Sequence, residues 1–257
     1  MLLAVDIGNS DTVLGLMVGE EVVASWRVAT DERRTADEWS VLVRGLLADT
    51  EHGAALSGVA VCATVPAVLA EWREMIATHF SSLASVIVEP GVRTGIPVLM
   101  DNPREVGADR IVNALAAART YGAPAVVVDF GTATTFDVVN SDGAFVGGAI
   151  APGIEISAEA LGRRGAQLRR VELKRPRSVI AKNTVEALQS GMVFGVAAQV
   201  EGMVARMVAE LGVRPEEVRV VATGHLAPLV LAECGCFTAH APWLTLHGLR
   251  MVHERNC

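Results

Sequence analysis

The stretch "LLAVDIGNSDTVLGLMV", residues 2–18, contains two apolar runs separated by a polar turn that includes glycine. The first run leads into Asp6, and the pattern predicts two strands joined by a turn at Gly8–Asp11. The stretch "AVVVDFGTATTFDVV", residues 125–139, has nearly the same layout, with Asp129 in the corresponding place. Because the two stretches lie about half the chain apart, they predict a duplicated fold with one polar turn in each half.

The apolar patterns elsewhere predict that each half begins with three strands and continues with helix–strand units. In the first half, strands are predicted at Leu2–Val5, Val13–Met17, Val22–Val28, Gly58–Val61 and Ser85–Val88, and helices after Thr35, from Pro66 and near Asp109. In the second half, strands are predicted at Ala125–Val128, Phe136–Val139, Phe145–Ala151 and Val218–Thr223, and helices at Ile154–Leu161, Thr184–Leu211, Leu226–Glu233 and Leu244–Arg255. We therefore expect an α/β chain with two lobes, residues 1–117 and 118–257.

The composition excludes several classes of protein. With 51% hydrophobic and 20% charged residues, the 257-residue chain can bury a large core and is not disordered. The net charge of −7 argues against a general nucleic-acid binder. Apolar runs stay shorter than the roughly 20 residues of a membrane helix, and no basic, apolar signal sequence opens the chain. The four cysteines form no CxxC pair, which is typical of thiols in a reducing cytoplasm.

The two polar turns have the residue types that a phosphate site with a bound cation requires. Glycine lets the backbone approach an anion, and successive N–H groups of such a turn bind phosphate oxygens. A carboxylate repels phosphate unless a cation lies between them, as in Mg²⁺ sites with one or two carboxylates. Asp6 and Asp129 are therefore candidate cation ligands, and Gly8–Ser10 and Gly131–Thr132 are candidate phosphate loops. One such turn alone is more typical of an ordinary hairpin, whereas two at matching positions favour nucleotide binding.

Longer motifs carry a resemblance to a known family. The chain contains, in order, "DIGNS", "TGIPVLMDNPREVGADRIVN", "VVDFGTATTFDVV", "GGAIAPGI", "LKRPRSVIAKNT", "ATGH" and "LTLHGLRMVHERN". Over nearly its whole length it resembles the type III pantothenate kinases, which belong to the actin, sugar kinase and Hsp70 superfamily. The resemblance implies an α/β fold of two ribonuclease-H-like lobes, each a mixed sheet flanked by helices, with the active site in the interlobe cleft.

The resemblance also implies an activity. Such a kinase phosphorylates pantothenate with ATP to form 4′-phosphopantothenate, the first step of coenzyme A biosynthesis. The implied cofactors are Mg²⁺ with ATP and a monovalent cation, K⁺ or NH₄⁺. The implied assembly is a cytoplasmic homodimer that binds neither nucleic acid nor membrane.

Individual residues follow from the matched motifs. The resemblance assigns ATP contacts to Asp6, Ile7, Gly8, Asn9, Ser10, Asp11, Thr12, Val13 and Thr132, with Asp6 also near Mg²⁺. It assigns pantothenate contacts to Gly107, Ala108, Asp109, Arg110 and Thr184, and the monovalent cation to Asp129. Asp109 is the implied general base for the acceptor hydroxyl. The local sequence alone leaves open that Asp109 only caps a helix and that Arg110 is a surface residue.

Three residues depart from the family pattern. Ser10 stands where threonine is usual, His225 where a second glycine is common, and Met100 where many members have tyrosine. These departures leave two alternatives open: a non-catalytic nucleotide-binding regulator, and a kinase of the same superfamily with another small substrate. The basic segment 163–182 is interpreted as a solvated loop, with a phosphate-guiding or dimer-bridging role as the alternative.

Overall fold

The structure is a computed structural model, and it describes residues 1–48, 50, 56–164 and 171–257. The chain divides into two compact units. Unit 1 comprises Met1–Ile96, Asp101–Ala116 and Trp243–Cys257, and unit 2 comprises Pro97–Met100 and Ala117–Pro242. The predicted division at residues 117 and 118 differs from this one chiefly at the C-terminal segment, which was expected in the second lobe.

Unit 1 is built on a five-stranded mixed sheet in the order β3-β2-β1-β4-β5. The strands are β1 (Leu2–Ile7), β2 (Asp11–Val18), β3 (Glu21–Ala29), β4 (Gly58–Ala63) and β5 (Ala84–Ile87). The first three form an antiparallel meander, and β4 and β5 run parallel to β1. The helices are α1 (Ala36–Ala48), α2 (Pro66–His79), the start of α3 (Ala108–Thr120) and α7 (Leu244–Asn256).

The two faces of the unit 1 sheet differ in residue size. Alternate residues Leu3, Val5 and Ile7 of β1 belong to a buried cluster that includes residues of α1 and α2. On the opposite face, Ala4 and Ala60 are fully buried, and they are register partners on parallel strands. Because strand side chains alternate between faces, Asp6 belongs to this second, small-residue face.

Helix α7 covers the small-residue face, which explains why it belongs to unit 1. The side chain of Leu246 fills the space beside Gly15, and α7 contacts β1, β4 and β5. Gly248 lies against the Val112 carbonyl of α3, and the Thr245 hydroxyl donates a 2.8 Å hydrogen bond to Asn113 Oδ1. The sequence predicted this amphipathic helix correctly but could not indicate which sheet it would cover.

Unit 2 repeats the topology of unit 1. Its sheet has the order β10-β9-β6-β7-β8, which, read from the other edge, matches unit 1 strand for strand. The strands are β6 (Ala125–Phe130), β7 (Ala133–Val139), β8 (Phe145–Pro152), β9 (Arg219–Thr223) and β10 (Ala239–His240), and the helices are α4 (Ile154–Arg164), α5 (Thr184–Leu211) and α6 (Ala227–Val230). The predicted duplication is confirmed, although the two-residue strand β10 was not foreseen.

The starts of helices α1, α2 and α5 follow from capping residues and a proline that are visible in the sequence. The capping box predicted before α1 is present: the Thr35 N–H donates to Glu38 Oε2 over 2.9 Å, and the Glu38 N–H donates to the Thr35 hydroxyl over 3.4 Å. Pro66 occupies the first turn of α2. Helix α5 begins after Asn183, whose side chain accepts the Glu186 N–H over 2.9 Å.

Helix α5 is long and apolar. Val193, Val200, Val204 and Val208 on one side are buried, the last three of them in the core of unit 2. By length and composition alone, with a mean hydropathy of 1.4 in its most apolar window, α5 could cross a membrane. The sequence pattern did not indicate this, because uninterrupted apolar runs in the chain are short. One such helix is weak evidence for a membrane span, since a core helix passes the same test.

Several basic side chains of segment 163–182 form ion pairs with carboxylates. Arg175 is 2.5 Å from Glu233, Arg177 is 2.5 Å from Glu186, and Lys174 is 2.8 Å from Glu172. These exposed pairs agree with the interpretation of a solvated loop. Arg169 and Arg170 lie outside the described residues.

Gly248 on α7 provides a test of the packing between α7 and α3. A methyl group there would collide with the Val112 carbonyl, so Gly248→Ala should lower the free energy of unfolding by about 1–3 kcal/mol. Gly45 on α1 is the matched control, because a Cβ at Gly45 would have no heavy atom within 4 Å. There the same change should stabilise the protein by about 0.5–1 kcal/mol. Urea denaturation measures both, and equal effects would contradict the close packing.

Candidate functional site

The first polar turn lies between β1 and β2 in unit 1. The Gly8 N–H donates to the Asp11 carbonyl over 3.0 Å, and a Cβ at Gly8 would lie 2.9 Å from that same oxygen. Only glycine therefore fits the turn without a shift. Asn9 and Ser10 at its tip are exposed, and Asp11 pairs with Arg27 over 3.3 Å. The turn presents exposed backbone and one hydroxyl to solvent, as a phosphate loop requires.

Two threonines hold this turn in place. The Thr30 hydroxyl donates to the Gly8 carbonyl over 2.8 Å and lies 2.9 Å from the hydroxyl of buried Thr12. The Thr30 N–H also donates to the Ser10 carbonyl over 2.9 Å. The Ile7 side chain is fully buried in the core. The buried side chains of Thr12 and Ile7 thus support the loop on its core side. The exposed residues at the tip of the loop are left to face a ligand.

Asp6 lies beside a buried thiol. Asp6 and Cys62 are register partners on the parallel strands β1 and β4, and the Cys62 thiol donates to Asp6 Oδ1 over 3.3 Å. Burial raises the pKa of Cys62 well above its usual value, and the nearby charges of Asp6 and Asp109 add to this rise. Asp6 therefore contacts the buried thiol directly, and the charge of Asp109 also acts on the pKa of that thiol.

Asp109 occupies the first turn of α3, immediately after Gly107 and Ala108. Its Oδ1 is buried and has no hydrogen-bond partner among the residues that the structure describes. Burial raises the pKa of Asp109, while the backbone N–H and the charge of Arg110 offset part of the rise. A Cβ at Gly107 would collide with Asp109 Oδ1, so a larger residue there would have to displace the Asp109 carboxylate. A carboxylate with a raised pKa and an unbonded oxygen is suited to accept a proton.

The second polar turn lies between β6 and β7 in unit 2, and two glycines close it in. Gly153, just before α4, packs so tightly on the carbonyls of Gly131 and Thr132 that no Cβ fits. Gly224 follows β9 with φ +88° and lies close to β6, the strand that pairs with β9. A Cβ at Gly224 would lie 2.5 Å from Asp129 Oδ1. Backbone from two neighbouring elements therefore packs directly against the turn.

His225 follows Gly224 and stands beside this turn. Its Nε2 lies 3.9 Å from Glu155 Oε1 in the first turn of α4, and both side chains are partly exposed. His225 thus places an imidazole next to the second candidate phosphate loop. The sequence motif identified the position, but its carboxylate neighbour was not foreseen.

The remaining predicted residues are placed as follows. Arg110 is half-buried next to Asp109 in unit 1. Thr184 is exposed at the first position of α5 in unit 2. Met100, also in unit 2, has its sulfur 3.3 Å from the point where a Cβ of Gly147 would lie. Thr30 and Cys62 were not predicted, because neither forms a local motif and their contacts depend on strand register.

The carboxylates fit a cation bound together with phosphate. Among the residues described here, no group of three or more histidine, cysteine, aspartate or glutamate side chains could hold a metal by itself. Mg²⁺ in phosphate sites needs no such group, since one or two carboxylates and the phosphate oxygens suffice. Asp6, near the end of β1 and beside the first turn, is placed where it could supply such an oxygen ligand.

Comparisons with known proteins place these features in a family. A family profile described as type III pantothenate kinase matches residues 2–206. A protein from Nocardioides sp. named type III pantothenate kinase is 72% identical over 259 residues, covering 99% of this chain and 99% of the relative. The match therefore includes both polar turns and the Gly107–Arg110 segment.

Solved structures agree with the fold. A Campylobacter jejuni protein described as a Baf family transcriptional activator superposes with a TM-score of 0.61 at 18% identity, covering 99% of this chain and 98% of the other. A ROK hexokinase from Thermus thermophilus superposes with a TM-score of 0.52 at 13% identity, covering 98% and 97%. Together with the two matching sheets, these similarities confirm the predicted fold class, an α/β fold with two mixed sheets flanked by helices.

The approach of Gly224 to Asp129 can be tested by substitution. Gly224→Ala adds positive-φ strain and a methyl group 2.5 Å from Asp129 Oδ1 and 2.6 Å from the Phe130 backbone. Gly143→Ala is the matched control, because Gly143 also has positive φ, +76°, but open space around it. We expect a loss of about 1–2 kcal/mol in the control and a clearly larger loss in Gly224→Ala. Equal losses in thermal or urea unfolding would contradict the packing.

Proposed function

This chain belongs to the type III pantothenate kinase family, and we propose that it transfers the γ-phosphoryl group of ATP to the primary hydroxyl of pantothenate. The products are 4′-phosphopantothenate and ADP, and the reaction is the first step of coenzyme A biosynthesis. The single observation that best supports the reaction is the buried, unbonded Oδ1 of Asp109 at the start of α3.

Asp109 acts as the general base in this proposal. Phosphoryl transfer depends mainly on positioning and charge stabilisation, and an alcohol is a weak nucleophile without a nearby base. The hydroxyl of pantothenate attacks the γ-phosphorus, its proton passes to Asp109, and the bond from the γ-phosphorus to the ADP oxygen breaks. The raised pKa of Asp109 makes its carboxylate a better proton acceptor than an ordinary aspartate.

The first turn binds the phosphates of ATP, and Asp6 ligates the Mg²⁺ that accompanies them. The support is the exposed tip of the turn at Asn9 and Ser10, with the Ser10 hydroxyl as a donor, and the carboxylate of Asp6 at the base of the turn. When bound, Mg²⁺ neutralises phosphate charge. Asp6 is held by Cys62, and the loop is held by Thr30, so both are in place before ATP binds.

Unit 2 contributes a second set of groups. Thr132 contacts ATP, and Asp129 holds the monovalent cation, K⁺ or NH₄⁺. The support is the close packing of Gly153 and Gly224 on this turn, where a Cβ at Gly224 would lie 2.5 Å from Asp129 Oδ1. Such packing restricts the turn that carries Asp129.

Pantothenate binds through the segment Gly107–Arg110 and Thr184. The Arg110 guanidinium can form two parallel hydrogen bonds to the pantothenate carboxylate, a geometry that arginine offers and lysine does not. Gly107 and Ala108 contribute backbone at the start of α3, where free N–H groups point out of the helix. Met100 replaces a tyrosine hydroxyl with a thioether, so this contact to pantothenate is apolar here.

The enzyme acts as a homodimer in the cytoplasm. One face of α5 exposes Gly191, Gly195 and Ala198 at helical spacing, and Val179 and Ile180 just before it are 62% and 83% exposed. An apolar face of this kind is typical of a dimer interface. The described cysteines are all free thiols, as in a reducing compartment. Sedimentation velocity should give the mass of a dimer.

The activity is tested by ADP release with Mg²⁺ and K⁺ and a panel of acceptors. We expect ADP to form with pantothenate, and mass spectrometry to detect 4′-phosphopantothenate. Glucose and acetate serve as alternative acceptors, because the fold is shared with sugar kinases. A folded protein that forms no ADP with pantothenate, or that prefers another acceptor, would overturn the proposal.

Replacing the base should separate chemistry from binding. Asp109→Asn should reduce kcat by about 10²–10⁴-fold, because the amide cannot accept the hydroxyl proton. Binding of ATP, measured by calorimetry, should stay nearly unchanged. Asp101→Asn is the control, since Asp101 is an exposed acid in the preceding loop. A near-normal rate in Asp109→Asn would remove Asp109 from the role of base.

The same variant should be more stable than the unaltered protein. Because burial raises the pKa of Asp109, its ionised form destabilises the folded state above the unfolded pKa. A neutral amide removes this cost at neutral pH, so Tm at pH 7 should rise, while near pH 3 the difference should shrink. A lower Tm at pH 7 would show that the carboxylate stabilises the fold.

The cation role of Asp129 has its own test. Asp129→Ala should abolish activation by K⁺ and lower the residual rate, because the carboxylate that would hold the ion is gone. Asp142→Ala is the control, because Asp142 is an exposed acid in the β7–β8 turn of the same unit. Titration of the initial rate with KCl measures the effect. Unchanged K⁺ activation in Asp129→Ala would place the ion elsewhere.

A further inference from the structure

Cys62 occupies a position where the sheet otherwise has small apolar residues. On the face of β1 and β4 covered by α7, Ala4 faces Ala60 across the two parallel strands. At the next pair along the same face, Asp6 faces Cys62. The thiol is fully buried, and its proton is directed to Asp6 Oδ1 over 3.3 Å.

The geometry around Cys62 places its thiol against the Asp6 carboxylate. Cys62 is fully buried, and the strand register puts it directly across from Asp6. A thiol has a single proton to donate, and the structure directs it to Asp6.

The carboxylates of Asp6 and Asp109 therefore differ in their hydrogen bonding. Asp6 receives the thiol hydrogen bond, whereas Asp109 Oδ1 is buried with no partner among the described residues. A held carboxylate suits a metal ligand, whose orientation has to be fixed. An unheld oxygen suits a base, which has to keep a lone pair available for the substrate proton.

We propose that Cys62 is a positioning residue, whose thiol orients the Asp6 carboxylate for the cation that accompanies the phosphates. The inference rests on the proposed function of Asp6 as a Mg²⁺ ligand. Cys62 acts through Asp6, which accepts its thiol hydrogen bond, as residues behind a metal ligand do. Losing such a partner typically costs about 10–100-fold in metal affinity or activity.

Three substitutions separate the hydrogen bond from packing. Cys62→Ser keeps a donor, Cys62→Ala removes it, and Cys62→Val removes it while filling the space. The probe is Mn²⁺, whose binding to the protein with a non-hydrolysable ATP analogue is followed by electron paramagnetic resonance. We expect Mn²⁺ affinity to fall about 10–100-fold in the alanine and valine variants, and to stay within about threefold in the serine variant.

Steady-state kinetics give a second readout. The Mg²⁺ concentration for half-maximal rate should rise in Cys62→Ala, while KM for pantothenate should change little. Cys257→Ala is the control, because Cys257 is an exposed thiol at the C-terminus. A merely structural role of Cys62 would change stability and both kinetic constants together.

The outcomes are distinct. Unchanged Mn²⁺ affinity in Cys62→Ala, or an equal loss in Cys62→Ser, would overturn the inference. If the alanine variant does not fold, the valine and serine variants make the same comparison. Because Mn²⁺ binding needs no turnover, a protein inactive towards pantothenate would overturn the proposed function while the role of Cys62 is still decided.

Discussion

The burial of one carboxylate oxygen, Oδ1 of Asp109, without a hydrogen-bond donor among the described residues is the constraint on which the proposed chemistry depends. Burying a charged group without a partner costs stability, and here it raises the pKa of the carboxyl. Proteins tolerate such costs mainly where function needs them. The Arg110 N–H offsets only part of the cost, so the surrounding structure has to hold Asp109 in place.

That support comes from the way unit 1 is packed. The residues Ala4, Gly15 and Ala60 leave space for α7 on one face of the sheet, and Gly248 lets α7 approach the backbone of α3. Helix α3 begins at Ala108, so the contact at Val112 and the hydrogen bond to Asn113 restrain its first turns. The small residues of the sheet and of α7 thereby restrain the helix that carries Asp109, which is distant from them in sequence.

Much of this could be predicted from the sequence, because periodicity and turn chemistry are local. The alternation of Leu3, Val5 and Ile7 predicted a strand with one core face, and the matched aspartates predicted two polar turns. The partners of Asp6 could not be predicted, because Cys62 becomes its neighbour only through the register of β4 against β1. Likewise, the pattern of α7 predicts a helix but not the sheet that it covers, and a motif names Asp109 without indicating its burial.

The polar turns of the two units are held in place by different groups. In unit 1 the turn is held by hydroxyls, chiefly Thr30, whereas in unit 2 it is enclosed by the backbone of Gly153 and Gly224.

The raised pKa of buried Asp109 in unit 1 can be measured without catalysis. A ¹³C NMR titration of the aspartate carboxyl carbons, with Asp109→Asn for assignment, gives the pKa of Asp109 directly. A value above the ordinary aspartate value of about 3.9 is predicted, and a value at or below it would contradict the account.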